Sequence, residues 1–226
     1  MNKLAGMRLL QLASQSLPIG GYSHSQGLES AIEARIVHSE ASVHAWIEDV
    51  LVFCMASYEL AVLLEMCEAW SAGDLRALRR LNDEFLAARE TAELRAATVQ
   101  MGYSMRALLS VLPDIPAGLT GALSAMQEPS LPLAWSGAAI HWSIEPGDAA
   151  GAYLWSWAEN QVLAAVKTLP MGQSAGQRVL MRIGARIAQL QLEMPCVGAR
   201  PRSNFAPGLA ISSARHETQY SRLFRS

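Results

Sequence analysis

The stretch Ser39-Glu-Ala-Ser-Val-His-Ala-Trp-Ile-Glu-Asp-Val-Leu-Val-Phe-Cys-Met-Ala-Ser-Tyr-Glu-Leu-Ala-Val-Leu-Leu-Glu-Met-Cys-Glu-Ala-Trp70 decides the fold class of this chain. Ser39 is a residue type that caps helix N-termini. Apolar residues then recur at helical spacing over about thirty positions. Ala, Leu, Glu, Gln, Arg and Met dominate the rest of the chain, and stretches with a period of two are rare. The sequence therefore predicts an all-α protein.

The same pattern predicts helices on both sides of this stretch. They are expected at about Met7 to Ser14, Ser25 to Ala34, Ala117 to Met126, Leu133 to Trp142, Pro146 to Leu169, and Gln173 to Glu193. Two more helices are expected between residues 74 and 112. One is capped by Asp74 and presents Leu75, Leu78, Leu81 and Phe85 on one face, and the other carries Leu94, Val99, Met101 and Leu108 and ends at Leu112. Short connections predict antiparallel neighbours around one core. We expect a single-domain multi-helix bundle over residues 1–194, followed by a linker and partner-binding tail over residues 195–226.

Composition limits the classes of function. The chain has 226 residues, a net charge of -2 and 51% hydrophobic residues. The near-neutral charge argues against nucleic-acid binding. The uninterrupted apolar run Val50 to Ala56 is far shorter than the roughly 20 residues of a membrane span, and the N-terminus does not resemble a secretory signal. Three cysteines without close spacing favour a reducing cytoplasm.

The high apolar fraction also predicts self-association as a homodimer. Gly172, Gly176 and Gly184 lie at multiples of four in the last helix of the bundle. Small residues at this spacing allow another helix to approach closely, either in the core or at a dimer interface.

Motifs of common enzymes are missing from the sequence. There is no phosphate-binding loop with its lysine, no dinucleotide fingerprint and no nucleophile elbow. His216-Glu217 is followed by Tyr220 where a zinc-protease helix would carry its second histidine. No catalytic residue and no fixed metal site is predicted, and His216 is only a weak candidate for transient metal contact.

Four polar blocks interrupt the apolar helices. They are Leu12 to Glu29, Arg89 to Arg95, Trp157 to Gln173, and Ser213 to Ser226. The second block carries Glu-to-Arg pairs that suit an exposed helix face. From Arg200 to Ser226 there are five arginines and one acidic residue. Arg, Tyr and Phe anchor protein interfaces, so the last block predicts a segment that orders on a partner.

The blocks Leu-Pro-Ile-Gly-Gly-Tyr-Ser-His-Ser-Gln-Gly-Leu-Glu (17–29), Arg-Glu-Thr-Ala-Glu-Leu-Arg (89–95), Ala-Val-Lys-Thr-Leu-Pro-Met-Gly-Gln (165–173) and the ending 213–226 resemble the UreF family of urease accessory proteins. The resemblance implies a dimeric, cytoplasmic, all-helical protein without catalysis of its own. It would bridge UreD, also called UreH, and the GTPase UreG, so that nickel enters apo-urease with GTP hydrolysis. UreG would bind the GTP and the assembled complex would handle nickel, so no intrinsic cofactor is expected. The alternatives are a helical hydrolase with a Ser/His site assembled by folding, and a self-contained nickel-binding chaperone.

Partner-binding residues are predicted within these blocks. Glu29 and Lys167 are charged residues in blocks whose other residues are mainly turn-forming or apolar, and we expect both to face UreG. The tail from Ala206 is expected to be mobile until it binds UreD, with a helix starting near Ala214. The full predicted set is Gly20, Gly21, Tyr22, Ser25, Gln26, Glu29, Lys167, Gln173, Arg215, His216, Glu217, Tyr220, Arg222, Phe224 and Arg225, with Tyr220 and Phe224 sharing one side of the helix.

Overall fold

The computed structural model describes residues 2–193 and 202–226, and the regular structure in these ranges is helical, without a β-strand. The α-helices are α1 (Lys3–Ala13), α2 (Leu28–Glu33), α3 (Glu40–Val50), α4 (Leu60–Ala72), α5 (Leu75–Ala87), α6 (Ala92–Val111), α7 (Ala117–Ser124), α8 (Leu131–His141), α9 (Pro146–Thr168), α10 (Gln173–Leu192) and α11 (Pro207–His216). A 3-10 turn, Gly21–Ser23, precedes α2, and a π-helical segment, Leu51–Glu59, joins α3 to α4. The predicted all-α fold is confirmed.

One continuous helical run, from α3 through the π-helical segment to α4, crosses the core. The Ser39 side chain accepts the N–H of Ser42, and the Ser42 hydroxyl accepts the N–H of Ser39 in return. Gly73 ends α4 in the left-handed conformation, with φ of 65°. The Asp74 carboxylate then caps the start of α5. The predicted caps at Ser39 and Asp74 are confirmed.

This run is also the one helix among the described residues that is long and apolar enough to cross a membrane, by length and composition alone. The short uninterrupted apolar run Val50 to Ala56 had suggested that no such segment exists. Counting only uninterrupted apolar residues missed it, because that count stops at isolated polar residues inside a long helix. In the fold, 67% of the most apolar 18-residue window is buried. The run is therefore packed as a core helix.

Helix α9 lies at the centre of the bundle and packs against α1, α2, α3, α4, α8 and α10. It begins at Pro146 as predicted, because proline fits the first turn of a helix. The indole of Trp135, on α8, is buried and donates to the carbonyl of Ala149 at 3.2 Å. Its ring meets Tyr153 edge-on at 5.4 Å between centroids. These contacts hold α8 and α9 together.

Two of the glycines of α10, Gly176 and Gly184, face α9 within the same chain. A Cβ at Gly176 would lie 3.0 Å from Val166, and one at Gly184 would lie 3.2 Å from Trp155. Both glycines therefore serve the core, which is one of the two roles that the spacing predicted. Gly172 is exposed at the N-cap of α10.

Two predicted helix starts are wrong. Helix α2 begins at Leu28 and not near Ser25, because Gln26 and Gly27 have positive φ angles of 51° and 83° that interrupt a helix. Helix α11 begins at Pro207 and not near Ala214, because a proline fits the first turn of a helix. The first part of the predicted tail, up to residue 201, lies outside the described residues. Its described part packs against α2 and α6.

Candidate partner-binding surface

The C-terminal segment, residues 217–226, lies along the turn that leads into α2. The N–H of Arg225 donates to the carbonyl of Ser23 at 2.8 Å. The carbonyl oxygen of Ser226 accepts the N–H groups of Ser25 and Gln26. Two sequence blocks from opposite ends of the described chain therefore form one surface.

Glycines give this turn its shape. Gly20 and Gly27 have φ angles of 76° and 83°, in the left-handed region that side chains rarely adopt. At Gly27 a Cβ would also lie 3.0 Å from the backbone nitrogen of Ser213, so α11 would have to shift by a few tenths of an ångström to accept a side chain there. Gly21 is buried, and a Cβ there would lie 2.7 Å from Nδ2 of Asn160. The glycines position the neighbouring side chains.

Glu29 is the residue that holds the C-terminal segment in place. Its carboxylate accepts the N–H of Leu223 at 2.7 Å and the N–H of Phe224 at 3.1 Å. It also lies 3.1 Å from Nε2 of His216, whose side chain is fully buried. One carboxylate on α2 thus binds both the end of α11 and the segment that follows it.

His216 lies between two carboxylates. Its Nδ1 is 2.7 Å from Oε2 of Glu93 on α6, while its Nε2 faces Glu29. Arg222 donates to the other oxygen of Glu93 at 2.9 Å. Both ring nitrogens of His216 therefore face carboxylate oxygens, and Glu93 also binds Arg222.

The predicted roles of several of these residues need correction. Glu29 is 5% exposed, so it is not a surface residue that faces a partner, although its charge had suggested one. Tyr220 and Phe224 do not share a helix side, because α11 ends at His216. Phe224 is buried, while Tyr220 is fully exposed. The described tail residues are docked on the body through backbone hydrogen bonds to the turn before α2 and to Glu29.

We group four exposed side chains of this segment and its neighbours under the name Lys167 patch: Tyr22, Lys167, Leu223 and Arg225. The Lys167 ammonium lies 5.9 Å from the ring centroid of Tyr22 and 5.8 Å from that of the buried Phe224. Tyr22 is 57% exposed and Leu223 is 71% exposed. Three separate sequence blocks therefore present cationic and apolar groups together.

The other predicted residues are spread around the patch. Gln173, Arg215 and Glu217 are exposed. Ser25 is buried in the turn. The Gln26 side chain accepts the indole N–H of Trp157 at 2.7 Å, which ties the turn to α9.

The charged block Arg89 to Arg95 does not form one exposed helix face. Glu93 binds His216 and Arg222, as described above, and Arg95 makes two hydrogen bonds to Glu128, at 3.0 and 2.6 Å. Arg89 lies before α6, and its side chain is only 7% exposed. Its partner Glu59 comes from the π-helical segment, so spacing within the block could not identify it.

Beside the turn lies a cavity of about 60 Å³ with a largely apolar lining, which the sequence did not indicate. Arg89 and Glu59 form an ion pair at its wall, with 2.5 Å between Nη1 and Oε1. The Tyr153 hydroxyl donates to the other oxygen of Glu59 at 2.8 Å. Burial, together with the charge of Glu59, raises the pKa of Tyr153 well above its ordinary value, so the hydroxyl keeps its proton. Burial also raises the pKa of Cys54, at the same wall, to about 12.

His24 connects the cavity with the C-terminal segment. Its Nδ1 is 2.7 Å from the hydroxyl of Ser226, and the ring lines the cavity. Burial and the nearby charge of Arg225 lower the pKa of His24 from 6.5 to about 4. The ring is therefore neutral near pH 7.

We expect His24 to make stability fall in mild acid. The unfolded chain binds a proton at His24 below pH 6.5, but the folded protein does so only near pH 4, so the stabilisation is complete above pH 6.5 and is lost as pH falls towards 4. The full loss, reached below pH 4, is roughly 3–4 kcal/mol, because the pKa falls from 6.5 to about 4 and each pKa unit is worth ~1.4 kcal/mol. Urea unfolding of the His24→Gln variant between pH 4 and 7 should show a flatter profile, whereas the exposed His38→Gln should match the parent. Identical profiles for all three proteins would contradict the assignment.

Metal ligation finds no support in the described part of the chain, where no group of three or more His, Cys, Asp or Glu side chains could hold an ion. His216, the weak candidate for transient metal contact, has both ring nitrogens engaged by carboxylates. In this conformation neither nitrogen is free to bind a metal.

Comparisons with known proteins match almost the whole chain to one family. The UreF family model matches residues 37–184. The chain is 52% identical over 223 residues to a urease accessory protein UreF of Azoarcus sp. strain BH72, covering 97% of this chain and 95% of that protein. It is 51% identical to a UreF of Dechloromonas aromatica strain RCB, with 97% and 96% covered. It also matches a bifunctional urease accessory protein UreEF of Bordetella bronchiseptica, at 47% identity over 96% of this chain and 51% of that protein. The chain therefore belongs to the UreF family of urease accessory proteins.

Proposed function

We propose that this protein acts in the cytoplasm as a non-catalytic adaptor that joins UreD to the GTPase UreG, so that nickel is inserted into apo-urease with GTP hydrolysis. The observation that carries the proposal is the docked C-terminal segment, which brings three sequence blocks into one surface. That surface exposes Tyr22, Lys167, Leu223 and Arg225, and aromatic and arginine side chains are enriched where proteins bind one another. UreG supplies the bound nucleotide and nickel is the cargo of the assembled complex.

The Lys167 patch is the proposed UreG-binding surface. Lys167 lies over the aromatic face of Tyr22, so its charge is held in position while the ring stays half exposed. A fixed cation beside an exposed aromatic ring can anchor an acidic, partly apolar partner surface. Glu29 contributes indirectly, because it holds Leu223 and Phe224 in place.

We expect Lys167→Ala to weaken UreG binding about tenfold or more, because it removes the central charge of the patch. Tyr22→Ala should have a similar effect, and both variants should keep the parent's helical circular dichroism. Lys3→Ala is the matched control, since Lys3 is the other lysine of the chain and is exposed on α1. Quantitative pull-down with UreG and GTP measures the effect. Unchanged binding and unchanged urease activation in both patch variants would contradict the assignment.

The UreD-binding surface is proposed on the remaining exposed residues of α11 and the segment that follows, Arg215, Glu217 and Tyr220. These side chains are exposed, and Tyr220 is fully so. An exposed tyrosine with neighbouring charges suits a polar interface with one aromatic anchor. Because the segment is already ordered on the body, binding there needs little further ordering of the chain.

We propose a homodimer that forms through the outer face of α10. Met181, Ala185, Ala188 and Leu192 are all exposed and follow one another at spacings of four, three and four residues. This spacing places them on one stripe of the helix, as at the contact of two packed helices. Met181 is 75% exposed and Leu192 is 83% exposed, which a second copy of the helix would cover.

We expect Ala185→Arg to dissociate this dimer, because a long charged side chain at the centre of the stripe prevents close approach of two helices. Light scattering at tens of micromolar should report a monomer for the variant and a dimer for the parent. Ala87→Arg places the same change at an exposed position at the end of α5 and should leave the mass unchanged. A dimeric Ala185→Arg protein, or a monomeric parent, would contradict this interface.

The fused relative supports a further accessory partner. Its name joins UreE and UreF activities in one chain of Bordetella bronchiseptica. We propose that a UreE protein also meets this chain during urease maturation. Crosslinking of the separate proteins in a UreD–UreG–urease mixture tests this.

The hydrolase alternative is tested by incubation with ester and amide substrates, and the nickel-chaperone alternative by equilibrium dialysis of the isolated chain with nickel.

A further inference from the structure

A groove lies between α3 and the start of α11, and none of the four residues of the Lys167 patch lines it. Its volume is about 390 Å³, which is within the range of sites that hold a bound ligand. It is lined by Trp46, Asp49 and Val50 of α3, by Phe53 of the π-helical segment, and by residues 205–209. The helical run through the core and the start of the C-terminal helix therefore form one recess.

Three aromatic side chains line this groove. Phe53 is 57% exposed and Phe205 is 75% exposed, while Trp46 is partly buried. Trp46, Val50 and Phe53 follow one another at spacings of four and three residues, so they lie on one side of the helical run. Large apolar side chains that are exposed together mark surfaces that bind another molecule. The groove therefore calls for an occupant with apolar groups.

The groove also carries a negative charge. Asp49 is the charged residue among the described residues that line it, and its exposed carboxylate has no hydrogen bond or ion pair within the described part of the chain. It follows Trp46 by three residues and precedes Phe53 by four, so it shares their side of the helical run. The first turn of α11 adds only a partial positive charge. A carboxylate beside aromatic rings favours a cation, because the ring faces and the carboxylate both attract one.

We propose that this groove binds a short segment of another protein in which one arginine or lysine lies between apolar residues. The cationic group packs against the rings and pairs with Asp49, while its apolar neighbours cover Phe53 and Phe205. An entirely apolar segment fits less well, because it covers the carboxylate without giving it a partner. The groove lies at the first turn of α11, whereas the residues proposed to bind UreD lie in or after its last turn. This proposal therefore does not depend on that surface.

The test is a titration of the full-length protein with a capped pentapeptide that has a central arginine flanked by leucine and phenylalanine. Binding is followed by NMR line broadening of the peptide. A second peptide carries citrulline, which has nearly the shape of arginine but no charge, and a third carries glutamate. We expect saturable binding of the arginine peptide, about fivefold weaker binding of the citrulline peptide, and still weaker binding of the glutamate peptide. Equal affinity for the arginine and citrulline peptides would mean a purely apolar occupant and would overturn the proposal.

Variants show whether the peptide occupies this groove. Asp49→Asn should weaken binding of the arginine peptide about threefold or more and leave the citrulline peptide unaffected. Asp83→Asn makes the same change at an exposed position on α5 and should bind as the parent does. Phe53→Ser should weaken binding of both peptides without changing the mass of the protein in light scattering. A lower mass for Phe53→Ser would show that a second copy of the chain covers the groove, and an Asp49→Asn protein that binds the arginine peptide like the parent would equally refute the assignment.

Discussion

Glu29→Ala is expected to release the C-terminal segment from the body and to abolish capture of UreD. The substitution removes the acceptor for the backbone N–H groups of Leu223 and Phe224 and for His216. Each buried donor left without a partner costs about 1–3 kcal/mol. We expect the summed cost of these unpartnered donors to exceed the binding free energy of the segment's remaining contacts. The segment should then detach while α1 to α10 stay folded.

Two measurements check this expectation. Trypsin cleavage after Arg222 and Arg225 should become at least tenfold faster, and UreD should no longer co-purify with the variant. Glu33→Ala, one turn further along α2 and exposed, is the matched control and should behave as the parent. Deleting residues 215–226 should reproduce the loss of UreD with unchanged helical circular dichroism and an unchanged dimer. A Glu29→Ala protein that captures UreD at the parent's yield with a protected tail would contradict the role of this carboxylate.

Local signals in the sequence predicted the bundle well. Ser39, Asp74 and Pro146 set helix starts through contacts within one turn, so the sequence alone was sufficient to locate them. Gly176 and Gly184 predicted a close helix contact, and the structure has it against α9. The spacing could not determine whether the neighbouring helix belongs to the same chain.

The site was predicted less well, because its chemistry depends on contacts between distant parts of the chain. A charge within a turn-rich block suggested a surface residue, but Glu29 receives its donors from positions 194 and 195 residues further along. The pairing of Tyr220 with Phe224 assumed a helix that ends at His216. Arg89 belonged to a block with helical charge spacing, yet its partner lies 30 positions earlier. No local pattern encodes such pairs.

The buried pair Glu59–Arg89 should have the largest effect on stability. Glu59→Ala leaves the Arg89 guanidinium buried without its carboxylate and leaves the Tyr153 hydroxyl without its acceptor. Removing one partner of a buried ion pair costs about 3–5 kcal/mol, because the remaining charge is uncompensated. We expect urea unfolding to report a loss of this size.

Two comparisons distinguish this explanation from a general loss of packing. Glu68→Ala removes an exposed carboxylate from the same helical run and should change stability by no more than about 0.5 kcal/mol. The double variant Glu59→Leu with Arg89→Met replaces both charges by apolar groups of similar volume. Since no unpaired charge then remains, it should recover most of the stability lost by Glu59→Ala. A double variant as unstable as the single one would mean that shape and hydrogen bonding at this wall, and not the uncompensated charge, hold the π-helical segment against α9.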